Sequence, residues 1–189
     1  MTRDDILDAA AQIFRQKGYH AASMQDIAAA VSLQKASLYH HVSSKQEILL
    51  ALLNRALDML FERISAVSRQ SLPPDVKLRQ MMRAYLNTLT EHIDLASVLL
   101  LEHRSLDPKL HARHIPNRDR FESLWRDVIQ EGTRAEMFRC PDPALTARAL
   151  LGIMNWTITW YRPSGPLSID EISDHFAALL INGLRGYRG

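Results

Sequence analysis

Apolar residues recur at helical spacing along nearly the whole of this chain, and no stretch alternates as a half-buried strand would. Ile6, Ala9, Ala10, Ile13 and Phe14 fall on one face, Thr2 with Asp5 makes a capping pair and Gly18 a stop, which predicts a helix over about residues 3–17. Ser23 with Asp26 opens a second helix. Ser44 with Glu47 opens a long one, reaching about Arg69 with Ile48, Leu52, Ala56, Leu60 and Ile64 along one side, until Pro73 and Pro74 end it. Further helices are expected near 76–92, 94–103, 108–132, 142–161 and 168–185, with breaks at Asp94, Asp107-Pro108, Gly132, "CPDP" and "RPSGP". The fold class that follows is all-α. An N-terminal three-helix unit over residues 1–46 precedes a larger helical body over 47–189, and the long helix from Ser44 joins them.

The stretch "SMQDIAAAVSLQKASLYHHVSSKQEIL", residues 23–49, is cut too finely for one helix. Ser23 to Ala30 gives two turns, "VSLQ" a sharp bend and Lys35 to Val42 two more turns, which is a helix-turn-helix. In its second helix only Leu38 and Val42 are bulky and apolar, so they face the neighbouring helices. Lys35, Ala36, Ser37, Tyr39, His40 and His41 are left to meet something outside. A major groove about 12 Å wide accepts one α-helix, whose first turns offer donors to base edges while flanking groups hold phosphates.

Charge supports this only locally. The net formal charge is +2, and in residues 1–50 Arg3, Arg15, Lys17, Lys35 and Lys45 are balanced by Asp4, Asp5, Asp8, Asp26 and Glu47. From Ser32 to Gln46, however, there is no acid, while Lys35, His40, His41 and Lys45 all fall there. A single cysteine, Cys140, excludes an internal disulfide and fits a reducing compartment. The N-terminus carries acids where a signal peptide needs an apolar run, and no run approaches 18 apolar residues, so a cytoplasmic protein without membrane spans is expected.

"IAAAVSLQKASLYHHVSSKQEIL" resembles the DNA-binding segment of TetR-family (tetracycline-repressor-like) transcription regulators. Ile27, Ala28, Leu33, Leu38, Tyr39, His41, Lys45 and Leu49 stand at family positions or close substitutes, and "FRQKGYHAAS" upstream fits as well. Ser32 departs from the usual glycine. A tight inter-helix turn often needs φ > 0, where serine costs more than glycine. The resemblance implies that Lys35, Ala36, Ser37 and His40 read base edges, with Gln25 reaching a base from the second helix. It implies that Tyr39, His41 and Lys45 clamp phosphates, joined by Ser23. Each also has a bland reading: Tyr39 packs beside Leu38, and Lys45 is a solvated helix-start lysine.

For the body, the same resemblance implies a homodimer formed by two helices of each subunit, and other helices that enclose a ligand. The last two helices are the natural pair, with Leu145, Ala149, Gly152, Ile153 and Trp156 on one and Ile172, Phe176, Leu179, Leu180 and Gly183 on the other. "NWTITWYRPSGPLS", from Asn155 through Trp160, Tyr161, Arg162, Gly165 and Leu167 to Ser168, resembles a signature of the branch responding to acyl-CoA thioesters. Aromatic core packing plus a Ser168–Glu171 cap explains the same residues without a ligand. Candidate effector contacts are the polar residues set in apolar helices, His92, His103, Arg104 and Asn155. Tyr85, Leu89, Leu100, Phe121 and Trp125 are the apolar lining, and Trp156 and Arg162 lie nearby in the signature. His111 and His114 have a spacing compatible with metal ligation but no cysteine or carboxylate partners, which favours a solvated "HARH" and no metal.

No phosphate-binding glycine loop, G-x-S-x-G elbow or Cys/His pair supports an enzyme, and no cofactor is expected. The expectation is a regulator, foremost a repressor, that leaves a palindromic double-stranded operator when a small hydrophobic effector such as an acyl-CoA binds. The alternative is a helical dimeric interaction or small-molecule-binding protein without operator-specific DNA binding.

Overall fold

The computed structural model describes residues 2–186 and, among them, nine α-helices and no strand. The helices are α1 (Arg3–Lys17), α2 (Met24–Ala30), α3 (Lys35–Leu38), α4 (Lys45–Ser68), α5 (Pro74–Glu91), α6 (Ile93–Leu101), α7 (Pro108–Arg134), α8 (Pro143–Trp160) and α9 (Ile169–Arg185). A single 3-10 turn, His103–Ser105, separates α6 from α7. The chain divides into two compact units, residues 1–58 with 92–118, and residues 59–91 with 119–189. The division falls inside α4 and α7, so each of these helices gives residues to both units.

In the first unit, α1 packs against α2 and α6, and α2 against α3. Two of the three capping boxes expected in this unit form in full: Thr2 Oγ1 accepts from Asp5 N and Ser23 Oγ from Asp26 N, with each acid reaching back to its cap's N–H. Contact with two neighbours turns the buried face of α1. Ile6, Leu7, Ala10, Ala11 and Phe14 are buried, whereas Ala9 and Ile13, expected inside, are half-buried. Ser44 caps α4 through the Glu47 N–H at 3.1 Å, but the Glu47 carboxylate pairs with Arg113 at 3.0 Å. Ile48, Leu52, Ala56, Leu60 and Ile64 all lie inside, as their spacing requires.

In the second unit, α5 packs on α8 and α9. The break expected at Pro73–Pro74 is present: α4 ends at Ser68 and α5 begins at Pro74, a position where the missing N–H costs nothing. Asp142 caps α8, and Ser168 with Glu171 caps α9 as a full box. Gly132 does not stop α7, which runs on to Arg134. A Cβ at residue 132 would overlap the Phe138 ring, so that glycine exists for close packing. Pro116 lies inside α7, where it removes one backbone bond.

Candidate DNA-binding head and effector-binding body

The recognition segment is held from behind. Leu38 is fully buried and Val42 nearly so, while Lys35, Ala36, Tyr39, His40 and His41 are exposed and Ser37 is half-buried. The α-helix covers only Lys35–Leu38, shorter than the expected 35–42. Beyond it the chain tightens into a turn in which His40 N–H donates to Ser37 O and His41 N–H to Leu38 O, the three-residue closure typical of a helix end. Ser32 has φ 55°, so the turn does demand the left-handed region where the family resemblance has glycine.

On α2, Gln25 is exposed. Ser23 is engaged as the cap, its hydroxyl also donating to Asp26 at 2.7 Å. The Ser23 and Lys17 bonds hold the Asp26 carboxyl down at about 2, the Lys17 contact weighing most. Lys45 is not a free helix-start lysine. Its Nζ donates to Tyr19 O at 2.9 Å and Ala22 O at 2.7 Å and sits 4.3 Å over the Tyr19 ring, tying the α1–α2 connection to the start of α4. One ammonium hydrogen remains for an outside partner.

Behind the head, the segment from α6 to α7 is pinned to it by side chains that sequence spacing could not pair. Arg15 meets Asp94 at 2.7 Å, and Tyr19 N–H donates to Glu102 at 3.2 Å. Gln46 makes two bonds, its Nε2 donating to Ser105 O at 2.8 Å and its Oε1 accepting from Asp107 N at 3.0 Å. His103 and His114 belong to this region too. Burial lowers the His103 pKa, with Arg104 adding to the effect. His114, buried and 3.2 Å from Asn54, is pushed down to about 4 by burial and then by the positive fields of His103, His111 and Arg118. Among the described residues no group of three His, Cys, Asp or Glu side chains could hold a metal ion. No helix there is long and apolar enough to cross a membrane.

The candidate effector residues divide between the units. Tyr85, Phe121 and Trp125 form an aromatic cluster in the second unit, with ring centroids 5.7 to 6.4 Å apart. The Tyr85 hydroxyl, its pKa raised by full burial, donates to Asn155 Oδ1 at 2.5 Å. Leu89 is buried on the same helix as Tyr85. Trp125 Nε1–H is buried with no acceptor among the described residues, which is unusual for a buried indole. His92, Leu100, His103 and Arg104 lie in the first unit, with His92 and Arg104 exposed. Arg162 is exposed in the second.

Trp156 is 66% exposed, on the side of α8 away from its buried Leu150, Met154 and Thr157. It belongs to an exposed stripe with Leu145, Ala149, Gly152, Ile153 and Trp160. On α9, Leu179 and Gly183 are exposed, whereas Ile172 is buried in the unit's own core, the share of these apolar faces that the single chain keeps for itself. A Cβ at Gly152 or Gly183 would meet nothing, so these glycines leave room for a close neighbour. In the sequence Arg3 stands out only as a charge. It lines an open recess of about 340 Å³ with Tyr39, His40, His41, Val42, Ser43 and Glu47.

Residues 6–52 match the family described as "Bacterial regulatory proteins, tetR family" and residues 71–184 match "Tetracyclin repressor-like, C-terminal domain". The chain is 28% identical to the HTH-type transcriptional repressor KstR2 of Mycobacterium tuberculosis over 184 residues, covering 96% of this chain and 92% of that protein. Among solved structures it is similar to the TetR family transcriptional regulator PfmR from Thermus thermophilus, with TM-score 0.86, 36% identity and coverage of 97% and 99% of the two chains. It is also similar to AibR in complex with isovaleryl coenzyme A and operator DNA, with TM-score 0.89, 28% identity and coverage of 95% and 97%.

Proposed function

The chain belongs to the TetR family of bacterial regulatory proteins, and on that premise we propose that it is a homodimeric repressor which an acyl-CoA thioester releases from a palindromic operator. It is a ligand-responsive, DNA-binding transcriptional regulator; the effector class, the residue roles and the cytoplasmic location are our reading. The observation that carries the DNA side is the exposed surface of Lys35, Ala36, Tyr39, His40 and His41, set in an acid-free stretch and backed by buried Leu38 and Val42. Lys35, Ala36, Ser37 and His40 read base edges, Gln25 assists from α2, and Tyr39 and His41 hold phosphates. Ser23 orders the α2 start and adds to the phosphate contacts with Lys45. Functionally the chain divides into a head over residues 1–46 and a body over 47–189.

The effector side is supported by the aromatic cluster of Tyr85, Phe121 and Trp125. It joins apolar surface to two fixed polar groups, the Tyr85–Asn155 pair and the Trp125 indole N–H. A ligand with an apolar chain and a carbonyl acceptor suits such a lining. AibR, similar over nearly the whole chain, is described with isovaleryl coenzyme A and operator DNA together. Within the second unit, Leu89 and Arg162 complete the proposed effector set, with Arg162 meeting the negative charge of the coenzyme. The exposed stripe of α8 and its α9 neighbours supply the dimer seam.

Footprinting on the DNA upstream of the protein's own gene tests this. Two half-sites are expected with centres about 34–36 Å apart or a multiple of that, and short-chain acyl-CoA should remove the protection. A single unrepeated half-site, or protection indifferent to every CoA thioester tried, would count against the reading.

A further inference from the structure

Arg3 occupies a position that helix stability does not explain. It is the first residue of α1, where the positive end of the helix dipole disfavours a cation and favours the acids Asp4 and Asp5 that follow. Its side chain makes no ion pair among the described residues, although Asp4 and Asp5 follow it in the same turn and Glu47 lines the same recess. Those acids are already engaged: Asp5 caps through Thr2, Arg55 draws Asp8 at 2.8 Å and Asp4 at 4.0 Å, and Glu47 pairs with Arg113. Arg3 therefore brings an uncommitted guanidinium to a recess whose other walls offer the Tyr39 and Ser43 hydroxyls and the His40 and His41 rings. The carboxylate in that wall, Glu47, is paired with Arg113 at 3.0 Å.

From this placement we infer that the recess between the start of α1 and residues 39–43 seats a DNA backbone phosphate, with Arg3 as its charged ligand. The inference rests on the DNA-binding reading above and adds a contact from outside the helix-turn-helix. The recess adjoins the segment proposed to enter the major groove, where a duplex presents the phosphates flanking the bases being read. A guanidinium presents a planar fork of donors that matches two phosphate oxygens in parallel, whereas a lysine ammonium acts as a point charge without that geometry. The Tyr39 and Ser43 hydroxyls and the His41 ring supply further donors. The contact positions the head on the duplex and carries no sequence information.

Titrating full-length wild type, Arg3→Ala and Arg3→Lys with two duplexes of unrelated sequence, at salt from about 50 to 200 mM, tests the assignment without knowledge of the operator. Arg3→Ala should weaken binding to both duplexes by the same factor and lower the log–log salt slope by about 0.9 per subunit. Arg3→Lys should keep the slope and recover only part of the affinity. Because Arg3 opposes the dipole, the Arg3→Ala melting temperature should be unchanged or slightly higher, so the loss cannot be unfolding. An unchanged slope overturns the inference, as does a loss confined to one sequence, which would make Arg3 a base reader. If wild type shows no salt-dependent DNA binding at all, the DNA-binding reading falls, and this inference with it.

Discussion

Lys45 commits two of its three ammonium hydrogens to the carbonyls of Tyr19 and Ala22. Losing it leaves those carbonyls without that partner, at about 1.5–3 kcal/mol for hydrogen bonds to a charged group. Lys45→Met should therefore lower the melting temperature as well as weaken DNA binding on every sequence alike. Lys35→Ala, on an exposed side chain, should leave stability unchanged and relax base preference. Thermal melts beside binding curves on two operators separate the two cases, and a stable Lys45→Met with a lowered salt slope would restore a pure phosphate clamp. The sequence shows Lys45 at a helix start but cannot show Tyr19 and Ala22 folding back under it. Ser32 was legible, because a family glycine replaced at a tight turn announces φ > 0. His114 also acts at this scale. Its folded pKa of about 4 lies below the ordinary value near 6.5, so the unfolded chain takes up the proton first as pH falls. Stability should fall between about pH 6.5 and 4, by up to about 3 kcal/mol, and level off below that. Denaturant midpoints for wild type and His114→Gln read this window, and equal slopes in the two would show that His114 is not responsible.

Helices whose ends are written locally were legible to within a residue or two. Thr2–Asp5, Ser23–Asp26 and Ser168–Glu171 each place a hydroxyl three residues before an acid, and each forms the box that this spacing requires. Elements shaped by distant partners were not legible in the same way. Glu47 has the spacing of a capping acid, yet Arg113 takes its carboxylate. The expected second turn of α3 closes as a tighter turn after Leu38. Gly132 looks like a stop, and the ring that explains it belongs to Phe138, beyond the end of the helix. A C-terminal glycine in a stop tolerates alanine at modest cost when its φ allows, but Gly132 sits within α7 with an aromatic ring against it. Gly132→Ala should then act as overpacking, destabilising by about 1–3 kcal/mol despite alanine's better helix propensity. A chemical-denaturation midpoint at or above wild type would show instead that Phe138 moves aside freely.

At the scale of the whole molecule, a single α3 presents few side chains to bases, so discrimination requires two copies held by a common seam. The exposed apolar stripe of α8 is suited to that task, because solvent contact leaves Leu145, Ile153, Trp156 and Trp160 with apolar area to bury. Periodicity showed which helices carry such faces. It did not show that Ile172 turns inward, since an amphipathic helix has the same spacing whether its apolar side meets its own unit or a second subunit. An effector shifts the operator equilibrium only by binding the released state better than the DNA-bound one. If an acyl-CoA weakens operator binding tenfold, the coupling is about 1.4 kcal/mol, and the operator must weaken acyl-CoA binding by the same factor. Gln46 lies where such coupling can be read in the first unit, because its amide ties the segment between α6 and α7 to the first turn of α4. Calorimetric titration of each candidate thioester with and without saturating operator measures the coupling from the effector side, and a DNA titration with and without thioester measures it from the other. The two factors should agree for wild type and shrink together in Gln46→Ala, while thioester affinity for the free protein holds. A thioester bound equally well with and without operator is not the inducer, however tight its binding.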